Sequence, residues 1–484
     1  MTLRCDTILR DATIIDGTGA ARFRGDVAIK GDRIAGVGDL GGWAADREII
    51  ATGKVAAPGF IDAHTHDDRA VLCGPECMLC KMSQGVTTVV VGNCGISLSP
   101  VKMTARPIPP LDLLGDEQWW TFGSFGEYAE RLARDPSPVN TVALIGHMSL
   151  RVEAMGGDVM RAARDGEAEH MRRRLAEALA EGASGFSTGL YYPANIEAPA
   201  EEVIAVAEAL RAAGGLYVTH MRNEMGEILD AIEETLRIGR AVGAPVVISH
   251  HKCAQPENFG RSVETLPRLT EAARHQKVDF DVYPYIAGST VLMIKRLRDD
   301  VPTRITWSIP HPEMQGRWLA DIAAEWGVGM IAAAERLQPA GAVFFQMDEA
   351  DVQRIMQHDL AMIGSDGLPH DAFPHPRLWG TFPRVLGHYS RDLGLFSLET
   401  AVHKMTGHSA AVFGLADRGV VRAGAYADLV LFDPATVRDT ATFDDPVRPA
   451  DGIVETWING QSAYVWGAGA TQARAGRLVT RGRG

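Results

Sequence analysis

The chain has 484 residues, of which 46% are hydrophobic and 23% are charged, a composition typical of a globular protein. Lys and Arg number 48 against 61 Asp and Glu, and the resulting formal charge of −13 argues against a general binder of nucleic acids or anionic membranes. An anionic substrate therefore needs local cations for its capture. No stretch approaches the ~18 consecutive apolar residues of a membrane span, and the N-terminal residues lack a signal-peptide pattern, so we expect a cytoplasmic protein.

The two ends of the chain share a pattern that predicts short antiparallel strands. Apolar and polar residues alternate in DATIIDGTG, GDVAIKGDRIAGVGD and EIIATGKVAAPG near the N-terminus, and again in ADLVLFDPATV and GIVETWINGQSAYV near the C-terminus. We expect one small β-sandwich or β-barrel domain that is built from residues 1–57 and 415–484.

Between these ends, short apolar strands alternate with amphipathic helices. Eight candidate strands finish at or near polar residues, which are His66, Cys94, His147, Ser187, His220, His250, Asp281 and Asp366. The helical segments 167–182, 200–215 and 226–243 each end in glycine, a common helix C-cap. The alternation predicts an α/β fold, a (β/α)8 TIM-type barrel over residues 58–414, with reactive groups at the C-terminal strand ends. A doubly wound open sheet is the alternative.

A long connection separates the seventh and eighth candidate strands of this barrel. It spans residues 286–360, whereas connections in such units are usually short. We interpret residues 286–345 as a lid-like insertion over the barrel mouth, rich in aromatic and cationic side chains.

Histidines at the strand ends predict a metal site. His64 and His66 form a His-x-His sequence, in which strand alternation places both imidazoles on one face. His220, His250 and Asp366 each end a further strand. Imidazole and carboxylate ligands at one end of a barrel suit Zn²⁺ and similar divalent ions.

The chain resembles the N-acyl-D-amino-acid deacylases, or D-aminoacylases, of the amidohydrolase superfamily. The motifs that carry the resemblance extend over most of the chain and are PGFIDAHTHDD, SQGVTTVVVGNCGIS, THMRNE, VVISHHK, NFGRS, DVYPY with AGST, PAGAVFFQMDE, GSDGLPHDAFPHPRLWGTFPRVLGHY and AYADLVLFDPATV. The resemblance implies zinc-dependent hydrolysis of an N-acyl-D-amino acid to a carboxylate and a free D-amino acid. It implies a small-molecule substrate, with neither nucleic acid nor membrane as a partner.

Many amidohydrolases bridge two metals with a carboxylated lysine on the fourth strand, but this chain has GFSTGLYYP there. In the resembled family a cysteine on the second strand does related work. The resemblance implies one tight zinc with the ligands Cys94, His220 and His250. Around a second position, weaker or empty, it places His64, His66 and Asp366. From the residues alone, a small buried apolar side chain is the favoured interpretation of Cys94.

The resemblance also implies roles in catalysis and substrate binding. Asp366 is expected to take a proton from the attacking water and return it to the leaving amine. The residues expected to hold the substrate α-carboxylate are Lys252, Tyr283 and Arg377, with Ser289 a weaker match. Arg supplies a planar fork, Lys a point charge and Tyr a hydroxyl donor. A structural salt bridge is the alternative for Arg377.

The preferred D-side chain is predicted less directly. An apolar pocket for hydrophobic side chains is predicted from Tyr191, Tyr192, Phe344 and Met347. An acidic side chain, as in the deacylases for D-glutamate or D-aspartate, would instead pair with Lys295, Arg296 or Arg298. Because charged lid residues are usually solvated, we favour the hydrophobic interpretation. A cyclic amidohydrolase of the hydantoinase or dihydropyrimidinase type is a further alternative, which the absent strand-four lysine disfavours.

The remaining cysteines are expected to be reduced in a cytoplasmic protein. Cys73, Cys77 and Cys80 have a spacing that resembles a structural zinc site, but we interpret them as incidental core packing near one helical face. Cys253 lies close in sequence to His250, and the sequence assigns it no role. Nor does the sequence indicate an oligomeric state.

Overall fold

The computed structural model describes residues 3–482. In chain order its strands are β1 (Arg4–Ile14), β2 (Phe23–Lys30), β3 (Arg33–Gly38), β4 (Ala44–Ile50), β5 (Val55–Pro58), β6 (Phe60–Asp62), β7 (Val86–Val91), β8 (Val101–Lys102), β9 (Thr121–Phe122), β10 (Asn140–Gly146), β11 (Gly185–Gly189), β12 (Leu216–His220), β13 (Val246–Ile248), β14 (Val278–Val282), β15 (Gly288–Val291), β16 (Thr303–Ser308), β17 (Ala340–Phe344), β18 (Ala361–Ile363), β19 (Leu429–Phe432), β20 (Ile453–Ile458), β21 (Gln461–Val465) and β22 (Gly469–Ala470).

The α-helices are α1 (Leu79–Met82), α2 (Phe125–Arg134), α3 (His147–Met155), α4 (Asp165–Ala180), α5 (Pro193–Ile196), α6 (Ala200–Ala207), α7 (Ala209–Ala213), α8 (Ile228–Val242), α9 (Ser262–Ala273), α10 (Leu319–Glu325), α11 (Met330–Leu337), α12 (Glu349–Gln357), α13 (Arg377–Arg384), α14 (Leu398–Met405) and α15 (Gly407–Phe413). A π-helical segment, Val385–Asp392, continues α13. Within residues 3–482, no helix combines the length and the apolar character needed to cross a membrane.

Eight parallel strands form the barrel, and their order around the sheet follows the chain: β6, β7, β10, β11, β12, β13, β14 and β18. Backbone hydrogen bonds join the first and eighth strands, from Ala63 N to Ile363 O (3.2 Å) and from Asp366 N to His64 O (2.7 Å). The strands are buried on both faces, as parallel strands covered by helices must be. The predicted (β/α)8 barrel is therefore confirmed.

The three predicted helices are present as α4, as α6 with α7, and as α8. The last two end at Gly214 and Gly243, each with a φ of 66°, which glycine adopts without a steric penalty. Helix α4 ends in a Schellman motif, in which the N–H groups of Gly182 and Ala183 donate to the carbonyl oxygens of Leu179 (3.2 Å) and Ala178 (3.0 Å), so its predicted glycine ending is confirmed as well. The C-cap residue itself is Glu181. Gly182 follows it with a positive φ of 113°.

Both ends of the chain contribute to one nine-stranded sheet, β1–β5 from the N-terminal part and β19–β22 from the C-terminal part. The two parts meet where β5 pairs with β19, with Ala57 opposite Val430. This agrees with the predicted two-ended β-domain. Its predicted boundaries, 1–57 and 415–484, stay a prediction, and their first two and last two residues lie outside the described chain.

The connection between β14 and β18 is a folded unit. Strands β15, β16 and β17 form an antiparallel sheet with β17 in the centre, and α10 and α11 lie between β16 and β17 in the chain. Leu292, Ile305, Leu319 and Leu337 belong to an apolar cluster of its own, separate from the barrel core. The insertion therefore has a hydrophobic core that can hold its side chains in fixed positions beside the barrel mouth.

Candidate active site

The predicted metal ligands lie together at the C-terminal mouth of the barrel, and all are buried: His64, His66, Cys94, His220, His250 and Asp366. Each follows or ends a barrel strand. Three of them, Cys94, His250 and Asp366, have positive φ angles of 54°, 37° and 48°. Residues other than glycine rarely adopt this conformation, and such backbone strain is found most often at functional sites.

The Cys94 thiol is the centre of the cluster. Its Sγ lies 3.3 Å from His64 Nε2 and 3.4 Å from His250 Nε2. Ligand atoms within 4.8 Å of one another form three sets, which are His64, His66 and Cys94; Cys94, His220 and His250; and His64, His250 and Asp366. Burial raises the pKa of the Cys94 thiol, but the adjacent His64 and His250 lower it more, so the pKa is well below its usual value. A thiolate among imidazoles is a donor set that suits zinc.

Unpaired nitrogens in the cluster also fit a metal. Both ring nitrogens of His220 and Nδ1 of His66 are buried and make no hydrogen bond within residues 3–482. Buried polar atoms in folded proteins almost always have a partner. A metal ion is the partner that these nitrogens and the neighbouring thiolate are suited to bind.

Asp366 connects the ligand cluster to a buried arginine. Its Oδ1 lies 3.3 Å from His66 Nε2 and 3.5 Å from His64 Nε2, and its Oδ2 lies 2.8 Å from Arg377 Nη1. Burial raises the pKa of Asp366, but Arg377 and then His66 lower it, so that it is well below its usual value. The side chain is therefore an ionised carboxylate at neutral pH.

Arg377 begins α13 and is 1% exposed. Its Nη2 donates to the Ser289 carbonyl oxygen (3.1 Å), and its guanidinium lies 4.6 Å from the centre of the Tyr283 ring. Its Nε is buried and makes no hydrogen bond in the described chain. Arg377, Tyr283 and Ser289 are thus brought together, although the Ser289 hydroxyl donates to the Ala342 carbonyl oxygen (3.4 Å).

Lys252 also lies in the site, but an unpredicted carboxylate holds it. Its Nζ is 2.6 Å from Glu224 Oε1 and 2.8 Å from His250 Nδ1. Glu224 Oε1 is itself 3.0 Å from His250 Nδ1. Burial raises the pKa of Glu224, but Lys252 and His220 lower it well below its usual value. Glu224 and Lys252 together orient the imidazole of His250.

Two tyrosines on the β11–α5 connection cover His220. Tyr191 stacks on the His220 ring at 5.6 Å, and the Tyr192 ring lies 5.1 Å from it. The Tyr192 hydroxyl lies 3.1 Å from Thr290 Oγ1 in the insertion. The insertion therefore contacts the wall of the site through the predicted substrate-binding residue Tyr192.

The cationic residues of the insertion differ from one another in exposure. Arg296 is 7% exposed, donates from Nε to the Tyr191 hydroxyl (2.7 Å) and lies 4.1 Å above the Tyr191 ring. Arg298 is partly exposed, with 36% of its side chain accessible, and pairs with Glu257 (2.6 Å) and Asp300 (2.8 Å). The expectation that these charges are solvated is confirmed for Arg298 and wrong for Arg296, because the Tyr191 ring shields the Arg296 guanidinium.

Sequence reasoning missed two residues that contact the ligands. Glu224 stands in the THMRNE motif, four residues after His220, and that spacing was the available signal. Asp281 was singled out only as a strand end; its Oδ2 is 3.2 Å from His64 Nδ1, and its Oδ1 accepts from the His250 backbone N–H (2.9 Å). It thus holds ligands from two different strands in place.

The Cys73, Cys77 and Cys80 cluster forms no ligand set among the described residues. Cys80 is buried, Cys73 is partly buried and Cys77 is exposed. The prediction of core packing is confirmed for Cys80 and wrong for Cys77, because the segment is a 3₁₀ helix that turns Cys77 toward solvent.

Comparison with known proteins decides the family. The profile described as "Amidohydrolase family" matches residues 47–265 and 258–464. This chain is an amidohydrolase. It is 53% identical to the D-aminoacylase of Alcaligenes xylosoxydans xylosoxydans over 477 residues, which are 98% of each chain. Two further relatives from that organism are an N-acyl-D-aspartate deacylase (49% identity; 99% of this chain, 96% of the relative) and an N-acyl-D-glutamate deacylase (45%; 99% and 98%).

Solved structures agree with this placement. This chain superimposes on a D-aminoacylase crystal structure with a TM-score of 0.96 and a sequence identity of 53%. The match covers 99% of this chain and 100% of the other. A second D-aminoacylase structure, described as having a binuclear centre with one-metal activation and second-metal attenuation, gives 0.95 at 52% with the same coverage. The N-acyl-D-glutamate deacylase of Bordetella bronchiseptica, solved with zinc and a phosphonate inhibitor, gives 0.95 at 44%, again with the same coverage. Within its family the chain belongs with the N-acyl-D-amino-acid deacylases.

Proposed function

We propose that this amidohydrolase hydrolyses N-acyl-D-amino acids to a carboxylate and a free D-amino acid, and that the reaction requires zinc. The observation that carries the proposal is the pairing of Asp366 with Arg377 at 2.8 Å beside the Cys94–histidine cluster. In this arrangement, the Asp366 carboxylate can transfer protons, the Arg377 guanidinium can bind an anion, and both lie beside a set of side chains that suit zinc. The relatives at 45–53% identity, which are named D-aminoacylase, N-acyl-D-aspartate deacylase and N-acyl-D-glutamate deacylase, support the proposal.

The zinc ligands divide into two sets. Cys94, His220 and His250 would hold the tight zinc, and His64, His66 and Asp366 surround a second, weaker position. When bound, zinc supplies Lewis acidity, which polarises an amide carbonyl group and makes water more acidic. Glu224 and Asp281 keep the ligating imidazoles in their orientation, as buried carboxylates commonly do around metal sites.

Asp366 is the catalytic residue of the proposal. An amide nitrogen is a poor leaving group, so the reaction needs a proton delivered to it. The ionised Asp366 carboxylate accepts a proton from the attacking water and then donates it to the departing nitrogen. Arg377 keeps this carboxylate ionised before the attack, because a nearby cation favours the charged form.

The substrate α-carboxylate is held by the cations beside Asp366. The Nε of Arg377 has no partner in the described chain and is available for it. Lys252 and the Tyr283 hydroxyl supply further donors, and Tyr192 and Ser289 are the other two residues proposed to bind the substrate. These cations explain how a protein with a charge of −13 captures an anion, because a local field in a cleft need not follow the net charge.

For the D-side chain, a specific observation now favours an acidic group over the hydrophobic one. The Arg296 guanidinium is buried, and within residues 3–482 its only side-chain hydrogen bond is to the uncharged Tyr191 hydroxyl. Buried arginines usually have a carboxylate partner. A side-chain carboxylate of D-glutamate or D-aspartate would supply one. The hydrophobic alternative rests on Tyr191, Phe344 and Met347 as apolar walls.

A panel of substrates tests both the deacylase reaction and the preferred D-side chain. N-acetyl-D-Glu, D-Asp, D-Met and D-Leu are assayed beside their L-forms and hydantoin, with metal content measured on the same sample. Hydrolysis of hydantoin alone would refute the deacylase assignment. We expect the acidic D-substrates to have the highest kcat/KM, and a preference for D-Met or D-Leu would return the assignment to hydrophobic side chains.

Two arginine variants identify the residue responsible. Arg296→Met should lower kcat/KM for the acidic D-substrates by about 10–100-fold relative to N-acetyl-D-Met, because a hydrogen-bonded ion pair contributes about 1.5–3 kcal/mol. Arg298→Met is the matched control, because Arg298 is more exposed and already pairs with Glu257 and Asp300, and this change should leave the ratio unchanged. Equal ratios in both variants would remove Arg296 from the substrate site.

A further inference from the structure

A buried lysine joins the ends of the first and eighth barrel strands. Lys81 lies in α1, and its side chain is 0% exposed. Its Nζ donates to Asp62 Oδ2 (2.7 Å), Thr65 Oγ1 (2.9 Å) and Ser365 Oγ (2.8 Å), and lies 3.3 Å from Asp67 Oδ2. One ammonium group thus bonds to residues that are about 300 positions apart in the chain.

The partners of Lys81 are the chain neighbours of one ligand set. Thr65 stands between His64 and His66, and Ser365 directly precedes Asp366. The two segments are also joined by a hydrogen bond from the Asp366 backbone N–H to the His64 carbonyl oxygen (2.7 Å). Any shift of the Thr65 or Ser365 side chain would move the ligands beside it.

The surroundings leave the ammonium little freedom. Asp62 accepts from the Ser365 backbone N–H (2.7 Å) and hydroxyl (2.6 Å), so it links the same two segments as Lys81 does. A Cβ added at Gly367 would lie 3.0 Å from Lys81 Nζ, which is closer than most real Cβ contacts. The Lys81 ammonium group therefore donates to three acceptors, and the backbone at Gly367 packs directly against it.

We propose that Lys81 is a positioning residue for the second metal position. It fixes His64, His66 and Asp366 relative to one another, and so sets the metal affinity of that position and the placement of the Asp366 carboxylate. Within residues 3–482, none of its hydrogen bonds goes to the segments that carry Cys94 or His220. The effect on turnover rests on the proposed function, whereas the effect on metal binding does not.

The test uses the full-length Lys81→Met protein, stripped of metal with a chelator and titrated with Co²⁺, whose spectrum reports thiolate ligation. We expect the first equivalent to bind as in the unchanged protein, with the absorption of a Cys94 thiolate. The affinity of the second equivalent should fall about 10–100-fold, the usual effect of losing a group that orients metal ligands. The kcat for the best deacylase substrate should fall by a similar factor with KM nearly unchanged.

Lys404→Met is the matched control, because Lys404 is also buried, at 3% exposed, but donates to the His358 carbonyl oxygen in the barrel wall. It should lower stability without changing the affinity for the second equivalent. Equal effects of the two variants, or a loss of the first equivalent in Lys81→Met, would overturn the proposal. So would a single Co²⁺ equivalent in the unchanged protein.

If Lys81→Met does not fold, Thr65→Val tests the same proposal, because it keeps the ion pair between Lys81 and Asp62. It removes only the Thr65 hydroxyl, which accepts from Lys81 and also donates to the Gly367 carbonyl oxygen at the longer distance of 3.4 Å. The second-equivalent affinity should fall about 2–10-fold, in keeping with one lost hydrogen bond, and an unchanged affinity would contradict the proposal. Metal titration needs no substrate. An inactive protein with the expected metal behaviour would therefore reject the proposed deacylase activity and leave the role of Lys81 intact.

Discussion

Two ligand sets share one barrel mouth but differ in their electrostatic surroundings. The Cys94 triad (Cys94, His220 and His250) has a thiolate and a histidine with both ring nitrogens unpaired in the described chain. In the Asp366 group (His64, His66 and Asp366), the carboxylate already has an arginine at 2.8 Å and an imidazole at 3.3 Å. Within residues 3–482, the ring nitrogens of His220 in the first set make no hydrogen bond, and neither does Nδ1 of His66 in the second. We expect the second set to bind a metal more weakly, because its carboxylate shares its negative charge with Arg377 and His66, and to be better suited to proton transfer.

Cys94→Ala should have the largest effect, because it removes the only thiolate from the triad. We expect loss of tight zinc and a fall in kcat/KM of about 10³-fold or more, since a Lewis-acidic metal contributes several kcal/mol to catalysis. Zinc content and activity are measured on the same sample. Cys253→Ala, which removes another buried thiol, is the control and should keep both. Full activity with zinc retained in Cys94→Ala would refute the ligand role.

Asp366→Asn tests whether the two ligand sets bind metal independently. The amide has the same shape but cannot accept a proton, so kcat should fall about 10²–10⁴-fold while KM changes little. The first zinc equivalent should still bind, because the Cys94 triad is intact. Steady-state kinetics and metal analysis check this outcome. If the first equivalent is lost as well, the two sets form a single site and the comparison fails.

Arg377→Met should have the smallest effect of the three variants. The effect should appear in both KM and kcat. The KM should rise because the α-carboxylate loses a donor, and kcat should fall because Asp366 loses its cation. Together we expect kcat/KM to fall about 10–100-fold, the contribution of one charged hydrogen bond. Unchanged KM and kcat would remove Arg377 from the site. Unchanged kcat with a raised KM would confine it to substrate binding.

Most of the barrel and most of the ligands were predictable from local pattern. Apolar runs that end in His or Asp identify the C-terminal ends of barrel strands, because a polar residue there points into the mouth. Cys94 is different, since a buried cysteine has the same local pattern as any small apolar residue, and only the resemblance assigned it. For Glu224 the sequence offers only the four-residue spacing from His220, and its contact with His250 at 3.0 Å depends on how two strands lie together in the barrel.

Arg296 and Arg298 show the limit of such reasoning most directly. They are two residues apart and of the same type, yet Arg296 is buried against Tyr191 and Arg298 is partly exposed. Local pattern cannot separate them, because burial here depends on a ring from a distant connection. Only the folded insertion brings that ring over the Arg296 guanidinium.

By itself, the sequence determined the alternation of strands and helices, the residue types at the strand ends and hence the barrel with its metal-binding mouth. These follow from short-range periodicity, which a single segment carries. The tertiary structure decided which charges pair: Lys252 with Glu224, Arg377 with Asp366, and Lys81 with the segments around His64 and Asp366. Such pairs join residues that are 11, 28 and 284 positions apart in the chain. Their energies depend on burial and distance, which exist only once the barrel has closed.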